Sequence, residues 1–553
     1  MISDPSEGLY LLDYGAGNVR SVFNAVESLG FSIKIISSPA DFDLAKKIIF
    51  PGVGSFGHAI RQMQSKNLLN PLLKYIASGK PLMGICVGMQ VLFEGSEESE
   101  EPGLGVFKGF VKKFTNDTKS VPNIGWNSCV LSQNSSERAC STDIFDIKQQ
   151  ELYYFVHSYA VFYDDSDFCK KPSYTVTRYG DQTFVSSICI DNIFATQFHP
   201  EKSGKDGLKL LQNFITKFQN KGAVSGSEYI SSENISSSHT LRVIACMDIR
   251  ANDNGELVVT KGDQYDVREA SDGNKVRNLG NPVELAKRYF VEGADEIAFL
   301  NITSFRDVPL NDTPMLKILQ QASKFVFVPM TIGGGIRSIK MDSTGESWTA
   351  TQVADAYFKA GADKISIGSD AVYSAEEYYR NSRICNGNSS IEEISKIYGT
   401  QAVVVSIDPK RTYVNSLSDS PHHTIETKRP GPNGEKYCWF QCTVKGGREN
   451  RDIDVVELAV AVEALGAGEL LLNSINNDGG NSGYDLELLS LVKKSVRIPV
   501  IASSGAGKPS HFLDASVHSN VDAVLAAGIF HRKEVEIQQV KDFLAQNKIR
   551  VRN

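Results

Sequence analysis

The chain has 553 residues, with 65 Asp and Glu against 58 Lys and Arg and a formal net charge of −7. That length exceeds one ordinary core and predicts at least two domains, with room for a (β/α)8 barrel of about 250 residues. Interspersed charges of acidic balance argue against a nucleic-acid partner, which calls for a basic patch, and no apolar run reaches the roughly 18 residues of a membrane span.

The start, Met1-Ile2-Ser3-Asp4, lacks the basic and apolar regions of a targeting segment. Nine cysteines without a Cys-x-x-Cys pair read as reduced thiols, so cytoplasm is the expected compartment. From Leu9, short apolar runs (Leu9 to Asp13, Ser32 to Ile36, Lys47 to Phe50, Leu82 to Ile85) alternate with helical stretches such as Asn18 to Leu29. This alternation predicts an α/β domain with a mainly parallel sheet.

Two segments of this half carry chemistry. Gly84-Ile85-Cys86-Val87-Gly88-Met89-Gln90 follows an apolar run and has the form of a nucleophile elbow, whose small neighbours permit a tight strand-to-helix turn. A thiol at a helix N-terminus is favoured as thiolate, the attacking species. In Gln197-Phe198-His199-Pro200-Glu201, a histidine and an acid two residues apart on an extended segment share a face. Cys86, His199 and Glu201 thus supply a nucleophile, a base and an orienting acid.

With these motifs the chain resembles the class I glutamine amidotransferases from about Leu9 to Phe218, which implies a flavodoxin-like α/β domain that hydrolyses glutamine with this triad. The resemblance extends to Phe50-Pro51-Gly52-Val53-Gly54-Ser55-Phe56-Gly57, which is similar to the family's oxyanion loop. Gly52, Val53 and Gly54 are the positions it implies there. Gln90 and the run Tyr154 to Tyr159, with His157 and Ser158, match glutamine-pocket elements. For these a strand edge with satisfied polar groups remains the alternative.

Gly222 to Ser227 and Ser231 to Ser238 are Ser/Gly-rich with little apolar periodicity, which marks 219–240 as a linker between a domain at 1–218 and another at 241–553. Eight short strands follow: Val243 to Ile249, Glu296 to Ile302, Val328 to Ile332, Lys364 to Ile367, Ala402 to Ile407, Glu469 to Asn473, Ile498 to Ala502 and Ala523 to Ala526. Eight βα units suit a TIM barrel. Its halves repeat: Gly293-Ala294-Asp295-Glu296 returns as Gly466-Ala467-Gly468-Glu469, and Ile244-Ala245-Cys246-Met247-Asp248 as Val404-Val405-Ser406-Ile407-Asp408. Asp248 and Asp408 then end strands one and five, on opposite sides of the barrel mouth where catalysis resides. Gly-rich turns after strands three and seven (Gly335, Gly505), with Gly368-Ser369 and Ala527-Gly528, offer backbone N–H groups to two phosphates. His422-His423 reads as a solvated loop, with no carboxylate or cysteine cluster at ligand spacing.

Taken together, Ile244 to Asp248, Val259-Thr260-Lys261-Gly262, Ile332 to Ile336, Asp478-Gly479 with Ser482 to Asp485, and Ala502 to Gly507 give a chain-long resemblance to the fused imidazole glycerol phosphate synthase family of histidine biosynthesis. It implies that ammonia from glutamine travels to the barrel and reacts with a bis-phosphorylated formimino aminoimidazole carboxamide ribonucleotide. Asp248 and Asp408 would be the acid/base pair, and Lys261 a residue closing over substrate. Phosphate binding would fall to Gly335, Gly368, Ser369, Asp478, Gly479, Gly505 and Gly528. Gly368 and Gly528 replace side-chain-bearing residues of relatives, leaving that work to backbone amides. Arg242, Glu296, Lys364 and Glu469 match the family's ammonia gate, although a layer that merely pairs buried charge reads equally well. The family calls for no cofactor and no metal, and a monomer is expected. Lys340 to Trp348, Tyr373 to Ser390 and Val414 to Gln441 read as long loops. Another glutamine-dependent synthase, such as one feeding a pyridoxal phosphate product, is the rival reading, and the paired aspartates and two phosphate cradles weigh against it.

Overall fold

In the computed structural model the described residues are 4–15, 17–52, 54–131, 145–163, 173–218, 239–252, 254, 256–260, 268–269, 275–276, 278–302, 314–340 and 347–553. They form two compact units: Met1–Thr240 with Ser323–Val328 and Ile397–Gly399, and Leu241–Ala322, Pro329–Lys396 and Thr400–Asn553. The sequence-expected linker falls almost wholly outside the described residues.

The first unit is built on an eight-stranded sheet, in the order Lys34–Ile36, Leu9–Leu12, Lys47–Phe50, Leu82–Ile85, Ile193–Thr196, Gln182–Ile190, Ser173–Tyr179, Val130–Leu131. The first five run parallel, and the last three join antiparallel. Leu9–Leu12 is buried at every position, as a strand covered on both faces requires. Helix Val19–Ser28 starts at Asn18, whose side chain accepts from the Ser21 N–H. One register matters most. Ile85 lies opposite Thr196 on parallel neighbours, so Cys86 and Gln197 leave the sheet side by side at its carboxyl edge.

The second unit is a closed barrel of eight parallel strands: one (Arg242–Ala251), two (Glu296–Asn301), three (Met330–Gly333), four (Lys364–Ile367), five (Val403–Ile407), six (Glu469–Asn473), seven (Val500–Ser503) and eight (Ala523–Ala526). Strand one pairs with strand eight to complete the ring. Alternate residues point inward, so Arg242, Ile244, Cys246 and Asp248 share one face of strand one. The interior is layered accordingly. Arg242, Glu296, Lys364 and Glu469 form a charged layer at the strand starts; Ile244, Cys246, Ala298, Val404, Leu471, Ile501 and Leu525 pack above it; the aspartates stand at the mouth.

Two of the stretches expected as long loops are partly regular. Tyr373 to Arg380 lies inside helix Ser369–Arg380, and Val414 to Gln441 contributes to an antiparallel sheet of Pro409–Val414, Ile425–Glu426, Tyr437–Val444 and Glu449–Asp454. Tyr437–Val444, buried at every position but Tyr437 and Gln441, is an aromatic and apolar run whose strand signal a loop reading overlooks.

Candidate active sites

Cys86 sits at the junction of strand Leu82–Ile85 and the one-turn helix Val87–Gln90, with φ +51 and ψ −107. A non-glycine residue in that region is strained, and the surrounding contacts hold it there. Its N–H donates to the Thr196 carbonyl at 2.7 Å, and its carbonyl accepts from Met89 and Gln90. The turn is also packed too tightly for side chains. A Cβ on Gly88 would stand 2.2 Å from the Phe50 carbonyl oxygen, and one on Gly52 would stand 2.1 Å from the Gly88 nitrogen. Gly52, of the loop expected to hold an oxyanion, is therefore pressed against the elbow. Gly54 has φ +119, and Val53 lies outside the described residues.

His199 and Glu201 are both buried, with Nδ1 2.8 Å from Oε1. Burial alone would lower His199, but the charges of Glu201 and Cys86 outweigh it and push the ring well above its ordinary value. Ser203 Oγ donates to the His199 carbonyl at 2.6 Å, and the His199 N–H donates to the Tyr154 carbonyl. The acid, base and thiol thus meet in one buried pocket wall.

One member of this wall escapes the motif reading. Gln197 Nε2 donates to Cys86 Sγ at 3.4 Å, and its Oε1 accepts from Gln90 Nε2 at 3.1 Å. Only the parallel register brings these residues together, across 111 positions of sequence. Gln90 Nε2 also donates to the Tyr159 carbonyl. His157 joins this group only through the Tyr159 carbonyl, which it shares with Gln90. Its Nδ1 donates to the Tyr159 carbonyl at 2.8 Å, its Nε2 stands 3.2 Å from Asn123 Nδ2, and Phe114, Phe155 and Phe184 surround its ring. Burial drives its pKa down to about 3, so it is neutral and satisfied. Ser158 is buried beside it and accepts the Phe114 N–H at its carbonyl.

In the barrel, strand one runs past Asp248 to Ala251, because its end pairs with the following strand Leu257–Thr260, so Asp248 lies within the strand and does not end it as expected, whereas Asp408 directly follows strand five. Asn473 Nδ2 donates to Asp408 Oδ1 at 2.9 Å and to Ser406 Oγ at 3.0 Å. Burial raises the Asp408 carboxyl above its ordinary value; the Asn473 hydrogen bond opposes this, and the charges of Asp478 and Asp248 add to it. Asp478 accepts from Ser504 Oγ at 3.3 Å, which ties the turn after strand six to the one after strand seven.

The expected phosphate positions cluster at the same end. Gly335 and Gly505 have φ +77 and +100, and a Cβ on Gly505 would stand 2.3 Å from the Gly483 carbonyl oxygen. Gly479 follows Asp478 with φ +70. Gly368 caps the twelve-residue helix Ser369–Arg380, with open space where a Cβ would be, while Gly528 starts a helix of four residues. Ser369 Oγ accepts the Lys445 N–H at 2.9 Å. Lys261 lies outside the described residues.

At the strand starts, Arg242 pairs with Glu296 at 2.7 Å and with Glu469, and Lys364 pairs with Glu296 at 2.7 Å and Glu469 at 2.6 Å. Alternate charges on strands one, two, four and six thus make a closed, fully buried ring. Burial alone would raise Glu296, but Lys364 and Arg242 hold it below its ordinary value.

The solvated-loop reading of His422-His423 holds for His423, which is exposed, and fails for His422, whose ring is withdrawn from solvent. His422 stacks on Trp439 with centroids 4.0 Å apart, and its nitrogens lie 3.1 Å from Glu457 and 3.0 Å from Asp452. His423 Nδ1 donates to Asp454 at 2.8 Å. The carboxylates come from strand Glu449–Asp454 and the helix after it, more than 28 residues on, so local spacing gives no sign of them. The expectation of nine reduced thiols also fails at Cys189, which is disulfide-bonded, whereas Cys86, Cys129, Cys246, Cys385, Cys438 and Cys442 are free. Among the described residues no helix is long and apolar enough to cross a membrane.

Comparison with known proteins finds a family match along each half of the chain. The class-I glutamine amidotransferase family matches residues 10–218, and a family described as histidine biosynthesis protein matches residues 242–536. The chain is 54% identical over 545 residues to the imidazole glycerol phosphate synthase hisHF of Schizosaccharomyces pombe, covering 98% of this chain and 99% of the relative. It is 52% identical over 544 residues to the chloroplastic hisHF of Arabidopsis thaliana, covering 98% and 89%. To the synthase subunit HisF of Methanocaldococcus jannaschii it is 39% identical over 317 residues, 57% of this chain and 98% of that subunit.

Proposed function

Because the chain belongs to the imidazole glycerol phosphate synthase family, in the form that carries glutamine amidotransferase and cyclase domains together, we propose a division of labour between the two sites described above. Cys86 attacks the glutamine carboxamide, His199 carries the proton from the thiol to departing ammonia, and Glu201 orients and charges the ring. Water then releases glutamate. Backbone amides of Gly52 to Gly54 and the elbow hold the oxyanion, with Gln90 at the glutamine pocket. The observation that carries this is the strained Cys86 beside the buried His199–Glu201 pair.

In the barrel, Asp248 and Asp408 move protons on opposite faces of the bis-phosphorylated formimino nucleotide as ammonia adds, a C–N bond breaks and the imidazole ring closes. The glycine turns with Ser369 and Asp478 take its two ends, and Lys261 closes over it. The products are imidazole glycerol phosphate and the aminoimidazole carboxamide ribotide. Ammonia reaches the mouth unprotonated by passing the ring of Arg242, Glu296, Lys364 and Glu469, since ammonium is no nucleophile. We assign residues 1–218 to the glutaminase, 219–240 to a linker and 241–553 to the cyclase, and place the enzyme in the cytoplasm as a monomer. The test follows loss of the formimino nucleotide with glutamine or ammonium as donor. Consumption with ammonium alone after loss of Cys86 supports the division, and its absence refutes it.

A further inference from the structure

The barrel's two halves superpose in register. Ile244 lies opposite Glu296 and Asp248 opposite Leu300; Val404 lies opposite Glu469, and the same count sets Asp408 opposite Asn473. A constant offset relates strand one to strand five, so Cys246 corresponds to Ser406 and Asp248 to Asp408. Another relates strand two to strand six, so Glu296 corresponds to Glu469 and Leu300 to Asn473. At the mouth, then, duplication has kept both aspartates and changed their neighbours. Where the Asp248 half has Leu300 and Cys246, the Asp408 half has an amide and a hydroxyl.

Those two polar residues form one unit with the carboxylate. Asn473 gives its amide hydrogens to Asp408 Oδ1 at 2.9 Å and Ser406 Oγ at 3.0 Å. Both protons of one amide are thereby directed, which fixes the Asn473 side chain and in turn one oxygen of Asp408. The backbone of Asp408 is held as well, its carbonyl accepting Thr443 Oγ1 at 2.7 Å. Leu300 offers no donor at the equivalent place.

We propose that Asn473, supported by Ser406, is the positioning residue that makes the two catalytic aspartates inequivalent, by fixing the orientation of Asp408 and binding its ionised form. This rests on the reading that Asp408 takes part in the cyclisation. Its direction agrees with the electrostatics, since the Asn473 hydrogen bond is what opposes the rise that burial, Asp478 and Asp248 impose on Asp408. The Asn473 amide then contributes to the acid/base difference between two similar carboxylates, a contrast of environments known to separate paired acids.

The test is the pH profile of ammonium-driven cyclisation, at constant free ammonia, for Asn473→Ala, Asn473→Leu and Asn473→Ser. The first removes the donor without adding a charge, the second copies the Leu300 side of the barrel, and the third restores a donor. The expected result is that the limb belonging to Asp408 moves up by about one pH unit in the first two, roughly a tenfold change in rate at fixed pH on that limb, with Asn473→Ser lying nearer wild type. Melting temperature identifies a variant that fails to fold, and Asn473→Ala then carries the test. A lower rate with an unmoved profile in Asn473→Ala makes the residue merely structural and overturns the proposal. Asp408→Asn separates the premise: full turnover in that variant removes Asp408 from the chemistry, whereas loss of turnover with unmoved Asn473 profiles refutes the positioning role alone.

Discussion

Replacing Lys364 by methionine tests the charged ring at its most exacting point. Lys364 Nζ bridges Glu296 at 2.7 Å and Glu469 at 2.6 Å, and all three side chains are almost completely buried. In the wild type two cations face two anions; the variant leaves Arg242 alone between two carboxylates, a net charge of −1 in the barrel interior. Breaking a buried pair by removing one partner costs about 3–5 kcal/mol. At roughly 2–4 °C per kcal/mol for a large domain, the barrel's unfolding transition should fall by roughly 6–20 °C. The sign with pH follows from Glu296. Its folded value lies below the ordinary 4.5, so its contribution is present above that value and lost as pH falls through the depressed one. In the variant a carboxyl can take up a proton instead, so the loss should be greatest near pH 8 and shrink towards pH 5. Thermal unfolding at several pH values measures this. A fall of under about 2 °C at pH 8, or one independent of pH, would refute the claim that the ring is a compensated buried network.

Three further outcomes are expected. Cys86→Ala should abolish glutamine use while cyclisation continues with high external ammonium at high pH, read by nucleotide consumption. Asp248→Asn should stop imidazole formation with either nitrogen source, and normal turnover would remove Asp248 from the chemistry. Glu201→Gln should lower glutamine turnover by about a hundredfold or more, since the ring loses the carboxylate that orients it. Because His199 lies above its ordinary 6.5, its pairing contributes stability that is full below 6.5 and lost as pH rises through the raised value. Unfolding titrations should show that loss in wild type and a flatter dependence in Glu201→Gln.

The sequence by itself determined the strands and those candidate catalytic residues that are close neighbours in chain or motif. Strand runs such as Lys47–Phe50, Lys364–Ile367, Glu469–Asn473 and Ala523–Ala526 are where short apolar runs place them, because a strand covered on both faces needs apolar neighbours in sequence. His199 and Glu201 bond because two residues separate them on an extended segment, and the Gly84/Gly88 frame around Cys86 marks a turn with no space for a Cβ. Only tertiary structure decided which distant groups touch. Gln197 reaches Cys86 because strands Leu82–Ile85 and Ile193–Thr196 run parallel in one register, and His157 becomes a satisfied core residue because three phenylalanines close around it. His422 gains its carboxylates, and Arg242 and Lys364 their ring, through pairings of strands and helices far apart in sequence. Asn473 is an ordinary strand-end residue until barrel closure sets it beside Asp408. Periodicity is written in neighbouring residues, whereas hydrogen bonds and charge pairs depend on a register that exists only once the sheet has formed.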